Sequence, residues 1–277
     1  MTHKPFEGML DILVFNWPLY AAALLLALAC PILLFLLPLP PIVALLLLAS
    51  AAGAGYFLIV SLAVSYIIYD RSPLYRWQWI KDVLPFTPRQ IVNLHAGFDK
   101  SSPALRALFP DANMVVLDFY DRHSMTEASI ARARRLELAH QQALSVDPAA
   151  LPLADNSCST AFLLFAAHEI RDARQRLQLF CEVKRILEAK GSLLLVEHNR
   201  NLANFLAFGP GFLHFYPQSE WLRLATKAGL QVTRSFTCTP FVRILLLQKE
   251  AAPYEEAKYR EKDSCEQSSI SVGAISR

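Results

Sequence analysis

The sequence predicts an α/β protein in which a doubly wound, mostly parallel sheet follows a hairpin of two transmembrane helices. Three observations carry this. No charged residue occurs from Pro18 to Ile68; beyond Pro88, short apolar runs alternate with stretches of helical spacing; and the alternation persists to about Lys249. The expected organisation is an N-terminal cytosolic segment (1–17), two transmembrane helices (18–69), a juxtamembrane linker (70–89), one α/β domain (90–250) and a disordered tail (251–277).

A bilayer core requires about 20 apolar residues in a helix, so the uncharged stretch can cross twice. Pro38, Pro40 and Pro41 supply the break between spans 18–38 and 42–68, and Pro31 should kink the first. Ala49, Gly53 and Gly55 give the second span a small-residue face on which a neighbouring backbone can approach. A cleaved signal peptide would have an apolar core of only about 7–15 residues, far shorter than this one. Arg71, Arg76, Lys81 and Arg89 follow the second span while the connecting loop has no basic residue. Both termini and the α/β domain are therefore expected in the cytoplasm, with the hairpin in the inner (cytoplasmic) membrane. Tyr66, Tyr69, Tyr75, Trp77 and Trp79 cluster at the exit, placed either for the headgroup layer or for packing on the domain.

The formal net charge is only +3 and the basic residues are scattered, which argues against a nucleic-acid partner. Cys30, Cys158, Cys181, Cys238 and Cys265 contain no CxxC pair, so neither a zinc framework nor a disulfide scaffold is expected.

Along the domain, QIVNLHAGF reads as a buried strand, SSPALRALFP as a helix closed by Pro, and NMVVLDFYD as a second strand. MTEASIARARRLELAHQQA has helical spacing, and ALSVD is a weak third strand before the turn-rich PAALPLADNSC. STAFLLFAAHEI suits a central strand, and RDARQRLQLFCEVKRILEAKG an amphipathic helix stopped by Gly191. GSLLLVEHN is another apolar strand. NLANFLAFGPGFLHFYPQSEW is expected to be a mobile cover, with Phe212, His214, Phe215 and Tyr216 lining an apolar pocket, or else a loop packed on the sheet or bilayer. The helix SEWLRLATKAGL and the β-rich runs QVTRSFTCT and FVRILLLQK complete a sheet whose ligands should bind at the carboxyl ends of the strands.

From Gln90 to Lys249 the order of motifs resembles the class I S-adenosylmethionine-dependent methyltransferases, especially the type 11 and quinone C-methylating branch. Asp147, Leu151, Pro152, Asp155, Asn156, Ser157, His168, Arg185, Leu187, Gly191 and Glu197 fall in the family's order. The resemblance implies S-adenosylmethionine as cofactor, held at Asn93, His95, Gly97, Asp118 and Asp147. Asp118 would accept hydrogen bonds from the ribose hydroxyls, although a strand-end Asp can equally cap the next helix, and Asp121 could fill either role. Asp147 would lie near the adenine amino group, or simply open the turn before Pro148. The chain departs from the family in the first turn, Asn93 to Asp99, where only Gly97 remains of the usual glycines.

Methyl transfer requires alignment of donor and acceptor, plus a base where the acceptor carries a proton. His168, Glu169 and His198 are the candidate catalytic residues, since both histidines end adjacent strands and imidazole titrates near neutrality. A strand-end His is also often a hydrogen-bonded structural residue. No HExxH-like pair accompanies them, and no metal is expected. The expected activity is methylation of an apolar, membrane-borne small molecule such as a quinone or lipid. Two alternatives are a soluble acceptor, and a non-catalytic membrane scaffold, the latter favoured by the altered glycine turn.

Overall fold

The computed structural model describes residues 6–137 and 143–249. The helices are α1 (Glu7–Phe15), α2 (Trp17–Leu36), α3 (Pro41–Tyr66), α4 (Trp79–Val83), α5 (Ser102–Leu108), α6 (Ala128–Glu137), α7 (Ala173–Ile186), α8 (Leu202–Phe208) and α9 (Gln218–Ala228). The strands are β1 (Gln90–His95), β2 (Asn113–Asp118), β3 (Leu144–Ser145), β4 (Cys158–Leu164), β5 (Leu187–His198), β6 (Leu230–Thr239) and β7 (Val242–Lys249). They form one sheet in the order β3-β2-β1-β4-β5-β7-β6, with β7 antiparallel to both neighbours and β1 to β5 parallel. This is the doubly wound α/β architecture. The strand order reverses between β1 and β4, which opens a crevice at their carboxyl ends.

Burial explains the strand pattern. All seven residues of β4 are buried because helices cover both faces of the sheet, so the strand is apolar without alternation. On one face α7 presents Leu179, Phe180, Val183 and Ile186, and Phe180 stacks on Trp221 of α9. Asp172 starts α7 by accepting hydrogen bonds from the Arg174 and Gln175 amides at 2.9 and 2.8 Å. The other face is covered by α5, α8 and the segment that leaves the hairpin.

α2 and α3 are long and apolar enough to cross a membrane, with mean hydropathies of 2.6 and 2.3, the second value for the continuous run Pro41–Arg76. Their apolar side chains point outward; Leu25, Phe35 and Ile59 are 69, 89 and 72% exposed. The hairpin closes through buried Cys30 and Ala54 and through Tyr20 against Phe57. Nothing lies within 4 Å of a Cβ built on Gly53 or Gly55, so the small-residue face turns away from α2.

Several expectations need revision. Residues 70–89 are packed rather than extended as a linker. α3 runs into a π-turn (Ile67–Arg71), and Leu74, Trp77 and Ile80 are buried in the second core. Trp77 therefore packs on the domain, not in a headgroup layer. α7 stops at Ile186, before Gly191, because Leu187 already pairs with Cys158 of β4. Gly191 lies inside β5, where a Cβ would meet the carbonyl oxygens of Glu188 and Cys158 at 2.9 and 3.2 Å. The segment expected as a cover forms α8 followed by a 3-10 helix, Gly209–His214. The segment before α2 is itself helical. The end of the third helical stretch (138–142) and the tail (251–277) lie outside the described residues.

Gly191→Ala is expected to destabilise the domain by about 1–3 kcal/mol through overpacking against backbone, lowering Tm by several degrees. Gly53→Ala should leave Tm unchanged or raise it. Thermal melting of the detergent-solubilised chain compares the two.

Candidate functional site

A cavity of about 340 Å³ lies at the carboxyl ends of β1, β4 and β5, within the range for small-ligand sites. Its floor is made by Ala96, Leu164, Phe165 and His198, its side by Ile130 and Ala133 of α6, and its roof by Ile12, Phe15 and Tyr20 of α1 and α2. Most of this wall is apolar. The roof is held by charge and by ring packing: Lys100 pairs with Glu7 and Asp11, and the Phe15 ring meets Phe98 edge-on at 5.0 Å. Asp70 accepts hydrogen bonds from the Gly8 and Met9 amides, both at 2.9 Å, and so satisfies the amino end of α1 from another element.

The polar wall gathers around His168. Its Nδ1 donates to Glu197 Oε2 at 2.6 Å, and its backbone amide to Glu197 Oε1 at 3.3 Å. Glu169 Oε1 lies 3.4 Å from His168 Nε2 and 3.6 Å from His214 Nε2. His214 Nδ1 donates to Glu127 Oε1 at 2.6 Å. Arg171 fixes the approach of the two segments by donating to the backbone oxygens of His168 and His214. His198 is placed differently. Its Nε2 shares a 2.7 Å hydrogen bond with the Tyr69 hydroxyl, and Phe215 stacks on its ring at 4.6 Å.

Environment drives the two strand-end histidines apart. Burial pulls His168 down, but the Glu197 and Glu169 carboxylates outweigh it and hold the imidazole well above the usual histidine range. Burial, with the neighbouring His168 and His214 charges, pushes His198 down to about 3. Burial also opposes the charge on Glu169, yet the His168 and His214 imidazoles beside it hold it below the usual carboxylate range. Neither histidine thus titrates near neutrality, where a general base works best.

The residues assigned to the cofactor lie elsewhere. Asn93, His95, Gly97, Asp118 and Asp147 do not line the cavity. The buried Asn93 amide reaches Ser101 and Ser102 Oγ at 2.9 and 2.8 Å, tying β1 to the start of α5. His95 Nδ1 accepts from the Gly97 amide at 3.2 Å, its Nε2 has no partner among the described residues, and burial lowers its pKa. Asp147 is exposed, and its Oδ1 accepts from the Ala149 amide at 2.8 Å in a turn.

Asp118 is buried at the end of β2. Its Oδ2 accepts from Arg134 Nη1 at 2.5 Å, and its Oδ1 from the Tyr120 amide at 2.9 Å. The Arg134 guanidinium lies over the Tyr120 ring, 4.6 Å from its centroid. Gly97 adopts φ 84, a backbone open to Gly, but a Cβ there would meet Arg134 Nη1 at 2.9 Å and the Tyr120 ring at 3.1 Å. The ground where a ribose would meet Asp118 and Gly97 is thus taken by Arg134.

The structure brings together His168, Glu169 and His198, as well as His214 and Phe215 from the expected cover, whereas Phe212 and Tyr216 do not line the cavity. It adds Glu127 and Phe15, which were not selected from the sequence, and Tyr69, expected only among the aromatics at the hairpin exit; Arg134, also unselected, sits on Asp118 outside the cavity. Glu127 and Arg134 are ordinary charges on a helical stretch and carry no local signal. Phe15 belongs to EGMLDILVF, whose acidic and apolar residues could have suggested a helix with one buried face.

No family model and no curated protein matches the chain in sequence. Solved structures of similar fold include an S-adenosylmethionine-dependent methyltransferase from Aquifex aeolicus, 17% identical over 65% of this chain and 93% of that one, with a TM-score of 0.48. One from Methanosarcina mazei is 18% identical over 63% and 98%, with a TM-score of 0.45. Mitomycin 7-O-methyltransferase is 15% identical over 89% and 73%, with a TM-score of 0.49. A likeness of this order concerns the fold alone.

His198 carries a pH prediction. Its folded pKa of about 3 lies below the ordinary 6.5, so between these values the unfolded chain binds the extra proton. The contribution of neutral His198 is present above about pH 6.5 and is lost progressively on acidification toward pH 3. The Tm advantage of the wild type over His198→Gln should therefore shrink across that window.

Proposed function

We propose that the chain is a membrane-anchored, S-adenosylmethionine-dependent methyltransferase whose acceptor is an apolar, membrane-borne small molecule such as a quinone or lipid. The observation that carries the acceptor assignment is the cavity itself. Its roof belongs to the helices that lead into the apolar hairpin, and its floor to the strand ends of the α/β sheet. A ligand partitioned into the bilayer would find it without crossing water, and confinement to one surface raises the effective concentration of both partners. The methyl-transfer part rests on the motif order between Asp147 and Glu197 together with the doubly wound sheet. The charge pattern after α3 favours a cytoplasmic domain on a hairpin in the inner membrane.

Residues would divide the work as follows. S-adenosylmethionine, when bound, supplies an electrophilic methyl group, and Asp118 is the carboxylate available to its ribose once Arg134 withdraws. Ile12, Phe15 and Phe165 would exclude water and hold the acceptor's apolar body. His168 is held by Glu197 in one tautomer and orientation, presenting Nε2 to the cavity.

The Asp118–Arg134 pair also favours a second reading, in which the cofactor site is permanently closed and the chain is a membrane scaffold. Calorimetric titration of the full chain in detergent with S-adenosylmethionine and S-adenosylhomocysteine separates the two. The enzyme reading expects saturable binding, weakened about 10–100-fold by Asp118→Ala through loss of a charge-assisted hydrogen bond, and tightened by Arg134→Ala. Absence of binding in the wild type and in Arg134→Ala would establish the scaffold. For the acceptor, extracts of membranes with and without the protein are compared by mass spectrometry. A methyl gain confined to water-soluble metabolites contradicts the apolar acceptor.

A further inference from the structure

We propose that His168, Glu169 and His214 form a site for a divalent transition-metal ion, zinc or ferrous iron, open to the apolar cavity. One donor atom from each of the three lies within 4.8 Å of the others. Glu169 Oε1 stands 3.4 Å from His168 Nε2 and 3.6 Å from His214 Nε2. Those separations are long for N–H···O hydrogen bonds, which mostly run about 2.7–3.2 Å. They match instead the edge of a tetrahedron around an ion bonded at about 2.0–2.1 Å, an edge of roughly 3.4 Å.

Both imidazoles are oriented for ligation. His168 Nδ1 donates to Glu197 and His214 Nδ1 to Glu127, each at 2.6 Å. A proton held at Nδ1 leaves the Nε2 lone pair facing Glu169, which is the carboxylate support that metal-ligating histidines ordinarily have. The two rings meet edge to face at 87° with centroids 4.9 Å apart, and both Nε2 atoms approach Glu169 Oε1. Two His and one carboxylate with an open side form the donor set of catalytic zinc sites and of the facial triads that hold ferrous iron.

The competing occupant is protons, with two imidazoliums bridging Glu127, Glu169 and Glu197. That arrangement leaves both Nε2–H groups sharing Glu169 Oε1 at 3.4 and 3.6 Å, longer than ordinary hydrogen bonds, whereas a shared ion satisfies all three donors. The sequence analysis expected no metal because it looked for a local pair of ligands. Here the end of β4 and the 3-10 helix after α8 supply the ligands, and the ends of β5 and α6 supply their partners. The site does not depend on whether the chain transfers a methyl group.

The test uses the full, tag-free chain in detergent, stripped with a chelator and titrated with zinc chloride, with ferrous iron under anaerobic conditions, and with cobalt(II) as an optical stand-in. One ion per chain is expected, with visible cobalt bands of a low-symmetry site. Glu169→Gln and His214→Gln should each weaken binding by ~100-fold or more and alter the bands, and Glu127→Gln should weaken it by about 10–100-fold. His123→Gln, exposed and outside the cavity, should change nothing. Circular dichroism confirms that each variant is folded. No ion bound by the wild type, or tight binding that survives in folded Glu169→Gln and His214→Gln, would overturn the proposal.

Discussion

The structure depends on the direct seating of the apolar helical hairpin on the sheet. α3 does not end at the domain surface but turns through a π-turn into the second core, where Ile68, Leu74 and Ile80 are fully buried. Tyr69 on that turn hydrogen-bonds His198 at the end of β5, and Asp70 beside it caps α1. A Cβ on Gly8 would collide with Tyr69, so only Gly lets α1 lie this close. The hairpin, α1 and the strand ends are thereby one packed body, with the cavity between them.

That setting shapes the chemistry. The cavity wall is mostly apolar, and low polarity strengthens the electrostatic interactions among the groups buried in it. The consequence is visible in the histidines. His168, next to two carboxylates, is driven toward the charged form, while His198, facing Tyr69 and Phe215, is kept neutral. The cavity's polar groups gather around His168, and His198 joins the sheet to the hairpin through Tyr69.

Much of the fold was legible from residues. The uncharged run from Pro18 to Ile68 and the apolar strands around Phe162 and Leu194 follow from local hydropathy, and the structure has helices and strands there. The site was legible only in part. His168, Glu169 and His198 could be marked because strand ends are readable, and all three line the cavity. Glu127 and Arg134 could not, because their roles arise from contacts across the sheet that leave no trace in spacing. Asp118 shows the limit most plainly: a strand-end carboxylate is visible in sequence, but the Arg134 guanidinium that occupies it is not. Gly191 taught a similar lesson, since a glycine that looked like a helix stop is required by the backbone of β4 and β5.

Hydrogen–deuterium exchange of the full chain in lipid nanodiscs tests this one-body arrangement most directly. Amides of residues 67–84 and of α1 are expected to exchange slowly, with residues 67–84 approaching the protection of β4. Exchange across 67–84 as fast as in an unstructured peptide would mean a flexible tether, and the cavity between anchor and sheet would not exist as described.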